Sequence, residues 1–352
     1  MEIITDTRVL VQDNGQIDRF DGAKDTPQPN ELYPVQDTGQ ILQDGKNDFK
    51  SNKLKSLAVS RVLPCSNPPE IRRTQRMFQC GDFLTFMVNE AKDMRLYKAN
   101  FCRDRMCPAC QQRRSRVVFH QVKDVCNSIV KAHPTYKYLL LTLTVPNVPI
   151  EDLNSKILEM GKAWLKLSRR VIFKKSVKGW FRTIEITYNA KTNTYHPHYH
   201  ILLCVPSNYF TKNYIAQSKW LELWQDVMND YSITQVDIRK IKPNPKKTGS
   251  DAISSASAEV GKYATKPSDY LKKTNTVDEY IADSKVVNEL AKIIKGKKLI
   301  AFGGLMLEHV KLLDLQDVDE SDLIKTGDEE ESFKGVYTHT FHWNIGFTNY
   351  IG

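Results

Sequence analysis

No run of apolar residues in this sequence approaches the ~18 to 20 needed to cross a bilayer. The longest, around residues 138–145, has the length of a strand. The first residues, MEIITDTRVL, lack the basic-then-apolar order of a secretory signal. No GxxxxGK loop is present to cradle nucleotide phosphates, and no internal repeat is evident. These absences predict a chain that works in the cytoplasm without a membrane and brings no ATPase or helicase of its own. Cysteine is sparse and odd in number, seven in all, which argues against a disulfide framework.

What is present is enough for a real core: 352 residues, 41% of them hydrophobic. The net charge of +10 hides an asymmetry. Residues 1–50 carry 5 Lys+Arg against 10 Asp+Glu, which leaves +15 for the remainder. A body this basic concentrates polyanions by Coulomb attraction and counterion release, so nucleic acid is the expected partner, with a merely solvated basic surface as the bland alternative.

Four regions are expected: an acidic tail over 1–50, a basic cysteine-bearing and helical region over 51–130, a catalytic domain over 131–275 and a C-terminal extension over 276–352. Within them the patterning predicts helices at 113–131, 151–173 and 211–230, and strands at KYLLLTLTV, WFRTIEITY, YHPHYHILLCV and ITQVDIRKIK. A further helix is expected through SSASAEVGKYATK and another over 277–295. KLIAFGGLMLEHVKLL should be a strand or turn followed by a helix. The order β-α-β-β-α-β is the split-βαβ plan, an α+β fold with an antiparallel sheet, helices on one face and an open second face. Alternation then puts Glu185, His196, His198 and His200 on the open face with Thr142, Thr144, Asp237 and Arg239.

Two imidazoles at i and i+2 on one strand can bind one divalent ion while a cross-strand carboxylate supplies a third position. His198, His200 and Glu185 fit that description, with His196 alongside. Such N and O donors with open positions suit Mg²⁺ or Mn²⁺ bound to a phosphate. Downstream, Glu259 and Tyr263 are spaced i and i+4, which a helix would stack on one face, flanked by Lys262 and Lys266. Beside a polarised phosphodiester the Tyr263 phenol could act as a nucleophile, and Glu259 as a general base. Tyr270 is a weaker second candidate. Cys102, Cys107 and Cys110 form C-x4-C-x2-C, and Cys80 is a plausible fourth ligand of a closed structural Zn²⁺ site. Arg103, Arg105, Arg113 and Arg114 surround it and are expected, with Lys262 and Lys266, to contact DNA. Cys65, Cys126 and Cys204 fall outside this spacing.

Taken together, CRDRMCPAC, LLLTLTVPN, HPHYHILL, EVGKYATK and IAFGGL, in that order from about Cys80 onward, resemble the rolling-circle replication initiators of small bacterial plasmids, members of the HUH endonuclease superfamily. The resemblance implies a bacterial, metal-dependent, site-specific endonuclease and strand transferase. It would nick origin DNA, single-stranded or cruciform at the nick, and stay joined to the 5′ end through Tyr263. It implies His198 and His200 as the HUH pair, Glu185 as the polar third ligand, His196 as an extra histidine, and Glu259 as the acid that ends replication by hydrolysis. A host helicase and replication machinery would be the partners, and subunit pairing would suit the C-terminal extension. Three other readings stay open: an HUH transposase or mobilisation relaxase, a non-catalytic zinc protein that binds nucleic acid, and a histidine-triad hydrolase.

Overall fold

The strands of the main sheet change character halfway along one face, and that change positions the candidate site. In a computed structural model, residues 42–44, 47–241, 252–261, 265–275, 279–327 and 333–352 are described. Most of the acidic tail lies outside them, as do Lys262 and Tyr263. Residues 41–352 form one compact unit.

Five strands make up the main sheet, in the order Ile300–Gly304, Gly179–Asn189, Thr194–Val205, Lys137–Thr144, Val236–Lys240, each antiparallel to its neighbour. The last four follow the expected β-α-β-β-α-β order, with helices Ile150–Arg169 and Gln217–Met228 as the crossovers. The C-terminal segment adds the fifth strand at the edge beside Gly179–Asn189. Leu139, Leu141, Leu143, Ile184, Ile186, Tyr199, Ile201 and Leu203 turn to one face and pack on Trp164, Trp220 and Trp224 of the crossover helices. Their burial removes the apolar area that drives the layer together, roughly 25 cal/mol per Å².

The second face is not open along its length, which corrects the expectation of helices on one face only. Tyr138, Leu140, Phe181, Leu202 and Cys204 lie under the long helix Pro108–Ala132, through Val118, Val122 and Val125, and under Ala256 and Val260 of the helix Ala252–Val260. The reason is in the strands themselves. The same face that begins Tyr138, Leu140 continues Thr142, Thr144; the histidine strand runs from Cys204 and Leu202 to His200, His198 and His196. An apolar half binds the helices Pro108–Ala132 and Ala252–Val260, and a polar half carries the histidines.

The helix expected through Lys266 ends at Val260. Gly261 tucks against the long helix, where a Cβ would come within 3.4 Å of the Ser115 carbonyl oxygen and 2.8 Å of that of Ser257. The chain next appears as an isolated parallel bridge between Thr265 and Ile186. Helix 211–230 is likewise shortened to Gln217–Met228, after a 3-10 turn at Ser207–Phe210. The helix expected over 277–295 is Ser284–Ile294, capped by the Asp283 carboxylate on the Val286 amide.

A second sheet of four antiparallel strands joins the two ends of the unit, in the order Asn349–Ile351, Tyr337–Asn344, Phe83–Val88, Met94–Ala99. Its inner residues Leu84 and Phe86 pack on Phe49, Leu42 and Phe341.

Gly-Gly in IAFGGL marks the end of a strand and the start of the helix Leu305–Leu312. Gly303 lies under Trp180, where a Cβ would sit 2.3 Å from the indole. Gly303→Ala therefore displaces a ring that packs edge-on to Trp164 at 5.0 Å. The expected cost is about 1–3 kcal/mol, read as a lower thermal midpoint; an unchanged midpoint would mean that the edge strand yields without strain.

Candidate metal centres

On the polar half of the sheet, three donors converge. Register places Glu185 opposite His198, and Thr183 opposite His200. The Glu185 Oε2 atom lies 2.8 Å from His200 Nε2 and 3.4 Å from His198 Nε2. One ligand atom from each of the three residues falls within 4.8 Å of the others. Burial would raise the Glu185 carboxyl, yet hydrogen bonds with His198, His200 and Lys266 outweigh it and hold the group well below the usual carboxylate range. A buried carboxylate oxygen between two imidazoles is a donor set that fits a divalent cation.

His196 does not join the convergence. Its ring stacks on that of His198 at 5.1 Å, and burial, then the neighbouring His198, lowers its pKa. Thr144 and Thr142 stand opposite His198 and His200 on the other side, as the alternation predicts.

Lys266 reaches the second oxygen of Glu185 as an ion pair, so it sits at the triad and serves the carboxylate, a role its place in a basic motif did not suggest. Thr265, two residues along the chain from Tyr263, bridges Ile186, the neighbour of Glu185. Glu259, at the end of its helix, meets Arg239 at 3.5 Å. Tyr270 is buried with its hydroxyl 3.4 Å from Gln111 Oε1, and burial pushes its pKa up.

The four expected cysteines also come together. Cys80 Sγ lies 3.6 Å from the sulfurs of both Cys110 and Cys107, and Cys102 Sγ lies 3.7 Å from that of Cys110. The edge of a tetrahedron of sulfurs about 2.3 Å from a metal is about 3.8 Å, so these separations fit a four-thiolate site. The amides of Cys102 and Arg103 donate to Cys80 and Cys110 sulfurs at 3.3 and 3.2 Å, which favours thiolate. Sequence reasoning missed two supports from the helix Phe49–Ser60. The Ser56 hydroxyl is 3.2 Å from Cys107 Sγ. The buried Lys53 ammonium donates to the carbonyls of Phe78 and Cys80 and to Asp82. Nothing in a basic segment distinguishes a lysine that will be buried; only its acceptors do.

The arginines around the cysteines, expected to contact DNA, each bind backbone carbonyls of the unit, although Arg103 stays exposed. Arg103 donates to the carbonyls of Asp319 and Ser321, and Arg105 to those of Ile294 and Lys297 and to the Asp319 carboxylate. Arg113 donates to the Leu323 and Ile324 carbonyls, and Arg114 to those of Asp104 and Arg103. Arg113 and Arg114 are buried. A guanidinium with its five donors in a fixed fork suits a turn of backbone carbonyls as well as a phosphate, and here it fastens the C-terminal segment to the cysteine module.

Cys107→Ser removes one buried thiolate. The expected outcome is loss of one metal equivalent per chain by elemental analysis together with a lower thermal midpoint. Full retention of metal would show that the four sulfurs do not form a single site.

Residues 93–351 match a family described as Replication protein. A curated relative called Protein rep, from Streptococcus pneumoniae serotype 2, is 33% identical over 307 residues, covering 86% of this chain and 91% of that protein. Another Protein rep, from Bacillus amyloliquefaciens, is 35% identical over 344 residues, covering 91% and 99%. A Replication protein from Staphylococcus aureus is 35% identical over 235 residues, covering 66% and 97%. No solved structure matches the chain. A likeness that runs through both the cysteine module and the histidine sheet, and spans nearly the whole of these relatives, means that the chain belongs to the Replication protein (Rep) family.

Proposed function

We propose that this replication protein initiates rolling-circle replication of a bacterial plasmid by nicking one strand of its origin, with Tyr263 as the nucleophile. The observation that carries the reading is the convergence of Glu185, His198 and His200 on the polar half of the sheet, with Lys266 from the Tyr263 segment paired to the same carboxylate. The split-βαβ order with the histidines on its central strand supports an HUH-type catalytic domain.

His198, His200 and Glu185 would hold Mg²⁺ or Mn²⁺, which supplies charge to polarise the scissile phosphate. The chain's own groups do the rest. The Tyr263 oxygen forms a bond to phosphorus as the bond to the 3′ oxygen breaks; the phenol loses its proton and the departing oxygen gains one, leaving a 5′ phosphotyrosine and a free 3′-OH. Glu259 would take the proton from the water or incoming 3′-OH that releases the enzyme. The four cysteines would hold Zn²⁺, whose role is structural because all four positions are filled by protein. The partners are origin DNA, single-stranded or cruciform at the nick, and a host helicase and replication machinery, since the sequence carries no ATP-binding loop of its own.

The test is a denaturing gel of the protein with labelled oligonucleotides tiling its replicon, in Mn²⁺ or EDTA. A covalent band that needs the metal and vanishes in Tyr263→Phe is expected. No adduct from either protein, with equal DNA binding, would instead favour a non-catalytic zinc protein. For the metal itself, Glu185→Gln is expected to weaken Mn²⁺ binding at least about tenfold by calorimetry, because a charged oxygen is lost from a buried site; unchanged affinity would place the ion elsewhere.

A further inference from the structure

The sheet face opposite the histidines is not filled to its edge. A cavity of about 640 Å³ opens there, between the helix Ile150–Arg169 and the turn that joins the helix Ser284–Ile294 to the edge strand. Its floor is the sheet itself, with Trp180, Arg182 and Ile184 from one strand and Tyr199 from the next. The walls are held by bonds of their own. Arg105 donates to the Ile294 and Lys297 carbonyls of the turn, and the Ile184 amide donates to the Leu299 carbonyl at 3.0 Å. The Lys297 ammonium donates to the Asn154 side chain of the facing helix at 2.6 Å.

Three features of the lining are unusual for a simple packing gap. Gly161 sits in the helix interior, where glycine is disfavoured, yet the nearest atom that a Cβ would meet beyond its own helix is the Tyr199 hydroxyl oxygen, at 4.0 Å. Packing does not demand the glycine; its effect is to leave the cavity open above that hydroxyl. Trp164 is 1% exposed, and its indole Nε1 has no hydrogen-bond partner among the described residues. Arg182, whose guanidinium lies 4.3 Å from the centre of the Tyr199 ring, likewise leaves its Nε without a partner among them. Burial pulls the Arg182 pKa down and Tyr199 pulls it up, and a guanidinium keeps its charge in either case. Buried N–H donors without acceptors are few in native structures, and two line this one cavity.

We infer that this cavity binds a small organic anion, whose aromatic or aliphatic body lies on Trp180 and Ile184 and whose acidic head pairs with the Arg182 guanidinium. The Trp164 N–H offers a further donor in the same wall. Sites for ligands of this class occupy about 300–1,000 Å³, mostly apolar with a few placed polar groups, and this cavity has that size and character. Charge favours an anion over a neutral body, because Lys162, Lys295 and Lys298 line the cavity together with Arg182. The apolar floor favours an organic anion over free phosphate. The inference does not rest on the nicking reaction, since the cavity lies on the face away from Glu185, His198 and His200.

The experiment titrates the full chain with 1-anilinonaphthalene-8-sulfonate, an aromatic body with one sulfonate, and reads its fluorescence and the energy transfer to it from tryptophan. Saturable binding of one equivalent is expected. 2-Naphthoate should displace it at a concentration at least about tenfold lower than neutral 2-naphthylmethanol, because a charge-assisted bond is gained. Gly161→Leu fills the cavity and improves helix propensity, so binding should fall at least about tenfold with no drop in thermal midpoint. Arg182→Met keeps the length and the apolar stem, and should erase the preference for the acid while the alcohol still competes. Equal binding by wild type and Gly161→Leu overturns the inference, as does absence of binding by the wild type. Equal competition by acid and alcohol in the wild type overturns the anionic ligand and leaves only an apolar cavity.

Discussion

Four sulfurs drawn to within 3.7 Å of their neighbours are the constraint from which much of the molecule hangs. Like-charged thiolates repel at that distance, so the cluster persists only if a cation neutralises them or protons remain. Cys80 and Cys102 bracket the Phe83–Ala99 hairpin, while Cys107 is the N-cap of the helix Pro108–Ala132 and Cys110 lies in its first turn. The hairpin forms one side of the second sheet and pairs with Tyr337–Asn344. The helix covers the apolar half of the main sheet. Arg113 of that helix binds the Leu323 and Ile324 carbonyls, and Arg105, just before the helix, binds those of Ile294 and Lys297.

The same helix connects the cysteine cluster to the histidine site. Gln111, next to Cys110 and buried, donates to the Arg105 carbonyl and to the Thr265 hydroxyl at 2.9 Å, and its oxygen faces the Tyr270 hydroxyl. Thr265 in turn bridges Ile186, beside Glu185. The cysteine cluster is thereby linked, through Gln111, to the segment that lies against the strand of Glu185. Support from groups beyond the converging side chains themselves is what fixes their orientation.

Fold and site were legible to different degrees, for identifiable reasons. The β-α-β-β-α-β order and the shared face of Glu185 and the histidines follow from alternation, because a strand has only two faces. The cysteines were legible because ligand spacing is a short-range property. The fifth strand, Ile300–Gly304, pairs more than a hundred residues away with Gly179–Asn189, and no local pattern names an edge partner. The helix through Glu259 stopped at Val260 because Gly261 approaches another helix backbone, a contact that exists only after folding.

The sequence by itself determined which residue types can carry chemistry and which side of a strand each takes: the His-x-His run, Glu185, and the C-x4-C-x2-C run with Cys80 upstream. Those depend on covalent spacing and on periods of two or three to four residues. Only the tertiary structure decided where the charges go. Arg113 and Arg114 looked like phosphate contacts and instead bind carbonyls inside the unit; Lys53 is buried and Lys266 is drawn to Glu185. A long charged side chain can reach several Å in any direction, and its partner is set by which backbone or carboxylate the fold brings within that reach, which no local pattern encodes.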